Sequence, residues 1–382
     1  MKYKTIIFTI VIFSLFSCHS KPAANSDELS AEPENQKRYT LTFVAAGDNL
    51  FHDTIIKAAL QEDGVYNFTP IYSQVKSIVE NADLAFINQE TVMAGERFGY
   101  SGYPAFNTPQ SLARTLADTG FDIVNLANNH AMDMGKSGLE ATLDFLDTIK
   151  EFTVIGARKS GESARIITKN NITLGFLSYT FSLNGIALPR DNPNIVSMIN
   201  RNTMAREIDA LRPLCDFLIV SMHWGDEYQT EPGREQIDLA RFLAEHSVDL
   251  IIGHHPHVLQ KFDTVTAANG RKTLCFYSLG NFASNQRGRE RIVGAMTALT
   301  FIKDETGETP ALSISDSGVI PVVCHFDRSY RNTTIYPLYA YSQDLLDNHA
   351  LKNFDRDVSM NFFYQVMERM NTQIFMRNPF AP

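Results

Sequence analysis

Short apolar segments alternate with amphipathic segments along most of this 382-residue chain, and this alternation constrains the fold more than any other feature. Strands alternating with helices predict a largely parallel sheet with helices on both faces. Thr108 is expected to cap the second helix, with Pro109 in its first turn. The predicted strands are 39–46, 84–88, 121–127, 216–222, 248–253 and 273–280, and the predicted helices are 69–82, 108–120, 136–149 and 235–246.

The first eighteen residues have the pattern of an export signal. Lys2 and Lys4 precede an apolar stretch that is too short to span a bilayer comfortably and that ends at Cys18. The ending "LFSC" resembles the lipobox of bacterial lipoproteins, so we expect Cys18 to be lipidated and to become the first mature residue. An uncleaved anchor or a buried first helix is the alternative. Residues 19–38 are polar and are expected to be a flexible tether that holds the protein at a membrane outside the cytoplasm.

The rest of the chain is predicted to be one main domain with an extension. The pattern becomes strand-rich from about Ile292 to Asp327, and the residues after 341 favour helices. We therefore predict a main domain at 39–330 and a helical extension at 331–382.

Charge and cysteine content exclude some classes of function. The net charge is −9, and removal of the signal with its two lysines takes it to −11, so nucleic acid is not an expected partner. Cys215, Cys275 and Cys324 lie in apolar, strand-like segments and are expected to be core residues, although one disulfide among them stays open.

Polar side chains follow five of the predicted strands. Ligands of open α/β sheets bind outside the carboxyl ends of the strands, so these side chains are expected to meet at one rim. Imidazole, carboxylate and amide donors without a thiolate suit manganese, zinc or iron. The candidates are Asp48, His52, Asp53, Glu90, Asn129, His130, Asp133, His223, Glu227, His254, His255 and His257.

The segment "GHHPHVLQ" is the most specific of these signals. Three of the ten histidines, His254, His255 and His257, fall within four residues directly after an apolar strand. Pro256 has a fixed φ and no N–H donor, so the chain is expected to leave the strand stiffly and to hold both flanking imidazoles ready for a metal.

The series "GDNLFHD", "NQE", "NLANNHAMDMG", "MHWGDEY", "GHHPHVLQ" and "YSLGNF" resembles the CapA family, the poly-γ-glutamate capsule synthesis proteins, which are similar to calcineurin-like metallophosphoesterases. The resemblance covers about 41–282, roughly two thirds of the chain. It implies an α/β fold in which mixed sheets form a sandwich flanked by helices, here with a C-terminal helical extension.

By the same resemblance, the rim holds two divalent metal ions. Glu90 stands where the superfamily has a bridging aspartate. The implied ligands are Asp48 and His257 for the first ion, Asn129, His223 and His255 for the second, and Glu90 as the bridge.

The resemblance also implies catalytic residues. His130 occupies the position of the general acid, and Asp133 could orient its ring. His254 has no ligand position in this comparison and is expected to be a bystander.

Two departures from the superfamily pattern bear on the first metal. The usual motif is Asp-x-His, but Leu50 stands two residues after Asp48, so His52 or Asp53 must supply the missing ligand or it is absent. Glu90 is one carbon longer than the aspartate that it replaces, which would alter the spacing of the metals.

Two functions of different class are compatible with these residues. The first is a lipid-anchored, metal-dependent hydrolase that cleaves a phosphoester or a γ-glutamyl amide, and the residues do not choose between these bonds. The second is a non-catalytic accessory factor for assembly, export or anchoring of an anionic polymer, within a capsule-synthesis membrane complex. Positive charge for such a polymer would come from the metals and from Arg287, Arg289 and Arg291. Retention of His130 and Asp133 favours the hydrolase.

Overall fold

Two β-sheets of nine and six strands form the centre of the protein. They are seen in a computed structural model that describes residues 37–330 and 332–381. The predicted export signal with Cys18, and all of the predicted tether except its last two residues, lie outside this part of the chain.

The larger sheet combines parallel and antiparallel strands. Its members are β1 (Arg38–Asn49), β2 (Leu84–Gln89), β3 (Ile123–Asn125), β4 (Thr153–Ile155), β11 (Asn281–Ala283), β12 (Val293–Asp304), β13 (Ala311–Phe326), β14 (Thr333–Pro337) and β15 (Gln373–Ile374). Their order is β14-β13-β12-β1-β2-β3-β4, with β11 beside β1 and β15 beside β13. Strands β1 to β4 are parallel, and β11 and β15 are parallel to their partners β1 and β13. The pairs β1–β12, β12–β13 and β13–β14 are antiparallel.

The smaller sheet is parallel at its centre and antiparallel at both edges. It contains β5 (Arg165–Lys169), β6 (Ile172–Thr180), β7 (Phe217–His223), β8 (Leu250–His254), β9 (Phe262–Thr266) and β10 (Lys272–Phe276). The order is β5-β6-β7-β8-β10-β9, and only the β5–β6 and β9–β10 pairs are antiparallel.

Most helices lie in the connections between parallel strands, as the alternation predicts. Their bounds are α1 (Asp53–Ala59), α2 (Thr69–Tyr72), α3 (Lys76–Glu80), α4 (Ser111–Thr119), α5 (Gly135–Leu146), α6 (Arg201–Leu211), α7 (Arg234–Glu245), α8 (Gln343–Asp347) and α9 (Met360–Glu368). No helix among the described residues is long and apolar enough to cross a membrane.

Two helix predictions need correction. The predicted helix at 69–82 is divided into α2 and α3. Helix α4 begins at Ser111 rather than after a cap at Thr108, because the Thr108 hydroxyl hydrogen-bonds to the Thr91 hydroxyl (2.8 Å) and its amide donates to Val92. The alternation locates a helix, but long-range contacts of its first residues decide where it begins.

The two sheets pack face to face, and helices α1 to α7 lie on their outer faces. Phe43 on β1 contacts Phe176 on β6, with ring centroids 6.4 Å apart, and Phe217 on β7 contacts Phe301 on β12 at 4.7 Å. Alternate residues of β1 such as Val44 face the other way, into the layer of helices α1 to α5. Helices α6 and α7 cover the outer face of the smaller sheet.

This arrangement confirms the predicted sandwich of mixed sheets flanked by helices, and it corrects the expectation of one largely parallel sheet. The parallel centre of each sheet matches the alternating pattern. The alternation cannot reveal that the chain changes sheets between β4 and β5, since strands of either sheet have the same local pattern.

The segment after residue 330 contributes helices and strands. Helices α8 and α9 pack on the core between the sheets, while β14 and β15 extend the larger sheet. The domain boundary at 330 stays a prediction. The cysteines Cys215, Cys275 and Cys324 are free thiols, the last two fully buried, so the structure contains no disulfide among them.

Candidate metal centre

The candidate metal centre lies where the carboxyl ends of the parallel strands of both sheets meet. Asp48 lies near the end of β1, Glu90 follows β2 and His223 ends β7. Asn129 follows β3, and the His-Pro-His segment follows β8. The two sheets are joined here by side chains, because His223 Nε2 lies 2.9 Å from Asn129 Oδ1 and His257 Nδ1 lies 3.0 Å from Asp48 Oδ2.

Close backbone packing places Asp48. A Cβ on the preceding residue, Gly47, would lie 2.1 Å from the carbonyl oxygen of Gly280, so only glycine lets these segments approach. Asn88 Nδ2 donates to Asp48 Oδ1 (2.8 Å). Burial acts to raise the pKa of Asp48, but contacts with histidines, among them His257, hold it well below its ordinary value. The ionised carboxylate is therefore the stable form.

Glu90 is the least satisfied charged residue of the centre. Its carboxylate is fully buried, and neither oxygen has a hydrogen-bond partner. Oε1 lies 3.4 Å from His223 Nε2 and 3.6 Å from His257 Nε2. Burial raises the pKa of Glu90 well above its ordinary value. A buried, unpaired carboxylate is costly, and such groups in proteins are usually paired or coordinate metals.

The histidines differ in the direction of their pKa shifts. Burial lowers the pKa of His255 to about 3 and that of His223 well below its ordinary value. Burial also acts to lower the pKa of His257, but the Glu90 and Asp48 carboxylates raise it to about 9. Neutral imidazoles have free nitrogen lone pairs, as metal ligation requires.

These residues form two sets of donors that share Glu90. Within each set, one donor atom from each of three residues lies within 4.8 Å of the others. The sets are Asp48, Glu90, His257 and Glu90, His223, His255, and Asn129 contacts the second set through His223. Nitrogen and oxygen donors around an unsatisfied carboxylate fit divalent metal ions such as manganese, zinc or iron.

The His-Pro-His segment has an unusual backbone. His255 (φ 95°) and His257 (φ 58°) are both in the left-handed region, which costs about 1–3 kcal/mol for each non-glycine residue. The His255 amide donates to Asp48 Oδ2 (3.3 Å), and the Pro256 carbonyl accepts from the Tyr228 amide (2.8 Å). The segment thus keeps its strained form through contacts on both sides.

His130 and Asp133 form a hydrogen-bonded pair beside the two donor sets. His130 Nδ1 lies 2.8 Å from Asp133 Oδ2, which also accepts from the Phe106 amide (2.7 Å). The Phe106 ring contacts the His130 ring edge-on at 4.7 Å, and Asn184 Nδ2 lies 3.4 Å from His130 Nδ1. Asn184 also accepts from Asn129 Nδ2 (3.2 Å), so it links the pair to the second donor set.

The structure does not bring His52 or Asp53 into either donor set. The His52 ring packs against Phe106 at 5.4 Å, and burial lowers the pKa of His52 to about 4. Asp53 Oδ1 accepts from the Gly102 amide (2.6 Å). His52 therefore borders the centre, and its role as a metal ligand stays a prediction.

His254 lies behind Asp48. Its Nδ1 is 3.3 Å from Asp48 Oδ1, and its ring stacks on Phe86 with centroids 5.8 Å apart. Its neighbour Gly253 is packed so tightly that a Cβ would lie 2.0 Å from the Tyr277 carbonyl oxygen. His254 joins neither donor set. It packs behind Asp48 and supports that side chain.

Sequence reasoning missed a buried polar chain that supports Asp48. Ser178 Oγ donates to Asn125 Oδ1 (2.6 Å), Asn125 Nδ2 donates to Asn88 Oδ1 (2.8 Å), and Asn88 donates to Asp48. The only local signal was that polar Asn88 and Asn125 end otherwise apolar strands. The link to Ser178 crosses between sheets and has no local signature.

The three arginines of "NQRGRER" are not grouped as a free positive patch. Arg287 lies over the Phe354 ring, Arg289 over Phe362 and Arg291 over Tyr228. Of these, Arg291 is the one that contacts a residue bonded to the His-Pro-His segment.

Comparisons with known proteins show which proteins this chain resembles. Two solved structures are similar to part of it: NAD nucleotidase from Haemophilus influenzae (14% identity, TM-score 0.44, 75% of this chain and 50% of that one) and a putative 5'-nucleotidase from Staphylococcus aureus (15% identity, TM-score 0.45, 74% and 54%). This chain thus spans about half the length of each solved protein.

Two relatives from Bacillus match more than half of this chain. "Capsule biosynthesis protein CapA" of Bacillus anthracis is 28% identical over 292 residues, 70% of this chain and 68% of that protein. "PGA biosynthesis protein CapA" of Bacillus subtilis is 31% identical over 221 residues, 56% of this chain and 57% of that protein. The family model described as "Bacterial capsule synthesis protein PGA_cap" matches residues 42–286, which include every residue of both donor sets. The chain belongs to this family.

Proposed function

We propose that the protein is a metal-dependent hydrolase whose centre holds two divalent ions bridged by Glu90. The observation that carries this proposal is that two donor sets share one fully buried carboxylate with no hydrogen-bond partner. A protein that did not bind metal there would leave a buried carboxyl group without a hydrogen-bond partner, and that cost would have to be offset elsewhere.

The residues of the first set would be Asp48, Glu90 and His257, and those of the second would be Glu90, Asn129, His223 and His255. Divalent ions held there would lower the pKa of water and polarise the bond to be cleaved. Manganese, zinc and iron all suit this donor chemistry.

The protein's own residues supply the proton transfer. Asp133 accepts from His130 Nδ1, which fixes the ring and leaves Nε2 as the atom that exchanges protons with the leaving group. The Phe106 amide also donates to Asp133 and so holds the carboxylate in place. The substrate bond would lie between His130 Nε2 and the shared carboxylate, and it would be a phosphoester or a γ-glutamyl amide.

The biological setting that we propose follows from the relatives. Two of them are named for capsule or PGA biosynthesis, which points to an anionic capsule polymer as the substrate or partner. We propose that lipidated Cys18 anchors the protein to a membrane outside the cytoplasm, where it could join a capsule-synthesis complex. Nucleic acid is disfavoured as a partner by the net charge of −9.

A second candidate function is that of a non-catalytic accessory factor for the polymer. The acidic composition favours it. A chain with this net charge would repel a polyanion, so the bound metals would serve to attract the polymer by providing a local positive charge. Arg287, Arg289 and Arg291 each lie over an aromatic ring.

Metal analysis and hydrolysis assays separate these functions. We would measure metal content and turnover of a bis-aryl phosphodiester with manganese, using the full-length protein and an Asp48→Ala, His255→Ala double variant. About two ions per chain, lost in the double variant, with turnover that His130→Ala abolishes, are expected for the hydrolase. Metal without turnover of this ester or of poly-γ-glutamate would favour the accessory factor. No bound metal in the wild type would refute the centre.

A further inference from the structure

The first donor set is smaller than the second. Asp48, Glu90 and His257 form the first, whereas the second gains Asn129 as a further donor through its contact with His223. The histidine that the superfamily places two residues after the first aspartate is replaced by Leu50, which is buried and apolar. If the first set has a further ligand, that ligand comes from another part of the chain.

Glu227 lies near one histidine of each donor set. Its carboxylate oxygen and the ring nitrogens of His255 and His257 lie within 4.8 Å of one another and form a third set of donors. Glu227 is reached by a turn after β7 in which Gly225 has a φ of 82°, and unlike Asp48 and Glu90 it is exposed. It therefore contacts the centre from the solvent side.

The loop that carries Glu227 is held against the His-Pro-His segment. Tyr228 has a φ of 67°, and its amide donates to the Pro256 carbonyl (2.8 Å). The Arg291 guanidinium lies 3.5 Å from the centroid of the Tyr228 ring, and Gln286 Nε2 donates to the Tyr228 hydroxyl (3.4 Å). A non-glycine residue in the left-handed region is strained and persists only where its surroundings fix it, and such residues cluster at functional sites.

We infer that Glu227 is a metal ligand and takes the place of the missing histidine in the first donor set. This inference rests on the proposed function, because it assumes that ions bind at the Asp48–Glu90–His257 set. The exchange of an imidazole for a carboxylate gives that set three carboxylates and one imidazole. Oxygen-rich sets favour harder ions, so the first site is expected to prefer manganese over zinc.

Manganese titration of the full-length protein tests the inference without an activity assay. Free manganese would be followed by its electron paramagnetic resonance signal, in wild type and in Glu227→Gln. We expect wild type to bind two ions and the variant to bind one of them at least about tenfold more weakly, as the loss of a charged ligand requires. Glu227→His should recover zinc affinity at that site but not manganese affinity.

Two control variants separate ligation from other effects. Asp226→Asn removes the same charge from the adjacent exposed residue and should leave both affinities within about twofold. His52→Ala tests the rival ligand and should also leave them unchanged. Because Glu227, Asp226 and His52 are not fully buried, these changes should not prevent folding.

The outcomes distinguish this inference from the proposed function. If wild type binds two ions and Glu227→Gln behaves like Asp226→Asn, the inference is refuted while the dinuclear centre stands. If His52→Ala loses the ion instead, His52 is the ligand and Glu227 is not. If wild type binds no ion, the proposed function fails together with the inference.

Discussion

The candidate metal centre has a strand side and a loop side that are built differently. On the strand side, Asp48, Glu90 and His223 lie at strand ends and are 0% exposed. On the loop side, Glu227 and Tyr228 lie in an exposed turn. Strand ends are fixed by the ladders of two packed sheets, whereas the turn is fixed by a few contacts of its own.

This difference separates two requirements of a hydrolytic site. The strand side holds a fixed set of donors, and its geometry is maintained by the same packing that maintains the fold. The loop side faces the solvent from which a substrate arrives, so it can change without disturbing the sheets. We therefore expect changes on the strand side to affect stability and metal binding together, and changes on the loop side to affect metal binding or turnover with little loss of stability.

Glu90→Gln should give the largest effect, because it removes the carboxylate that both donor sets share. We expect loss of both metals and of all metal-dependent turnover. Metal ions at 100 times their dissociation constant stabilise a protein by about 2.7 kcal/mol for each site. A chelator should therefore lower the melting temperature of wild type but not that of Glu90→Gln. An equal chelator effect in both proteins would place the metals elsewhere.

His130→Asn tests whether the centre is catalytic or only binds. Removal of a general acid costs about 10²–10⁴ in turnover, while the metals should remain because His130 belongs to neither donor set. Turnover and metal content would be measured in parallel. His246→Asn is the matched control, since His246 pairs with Asp209 (3.3 Å) and should change neither quantity. Metal loss in His130→Asn would assign His130 to the strand side as a ligand.

The strand side was the part of the site that the sequence could predict. Asp48, His223 and the His-Pro-His segment each follow an apolar run, and the carboxyl ends of parallel strands must meet at a rim. The fold was predictable for a similar reason, because mixed sheets flanked by helices follow from the strand pattern together with the family resemblance.

The loop side could be predicted only in part. The sequence placed Glu227 among the candidates for the rim, but nothing near Leu50 indicates which donor set it would approach. His52 was the nearer candidate in sequence, but its ring packs on Phe106. The positions of side chains within a turn depend on residues with left-handed backbone, such as Tyr228. No periodic sequence pattern predicts where such residues occur.

Asn88→Ala should show that stability and metal binding are coupled on the strand side. It removes a donor from Asp48 and leaves buried Asn125 Nδ2 without its acceptor, so we expect a loss of about 1–3 kcal/mol in the free energy of unfolding. Metal affinity should also fall about 10–100-fold, because Asn88 orients a ligand. Asn200→Ala is the control. It removes the cap of α6 at a cost of about 1 kcal/mol and should leave metal affinity unchanged. Unchanged metal affinity in Asn88→Ala would mean that stability and metal binding are not coupled on the strand side.

Arg291→Ala should give the smallest of these effects. It tests whether the loop side can change with little loss of stability. Its guanidinium lies over the Tyr228 ring, a contact worth about 0.5–1 kcal/mol at an exposed site, so denaturant unfolding should show a loss of that order. Metal affinity should fall less than in Glu227→Gln, since the Tyr228 amide still donates to Pro256. Arg289→Ala removes an equivalent contact with Phe362 and should leave metal affinity unchanged. A loss above about 3 kcal/mol in Arg291→Ala would exceed any exposed cation–π contact, and it would mean that the loop side is as much a part of the folded core as the strand side.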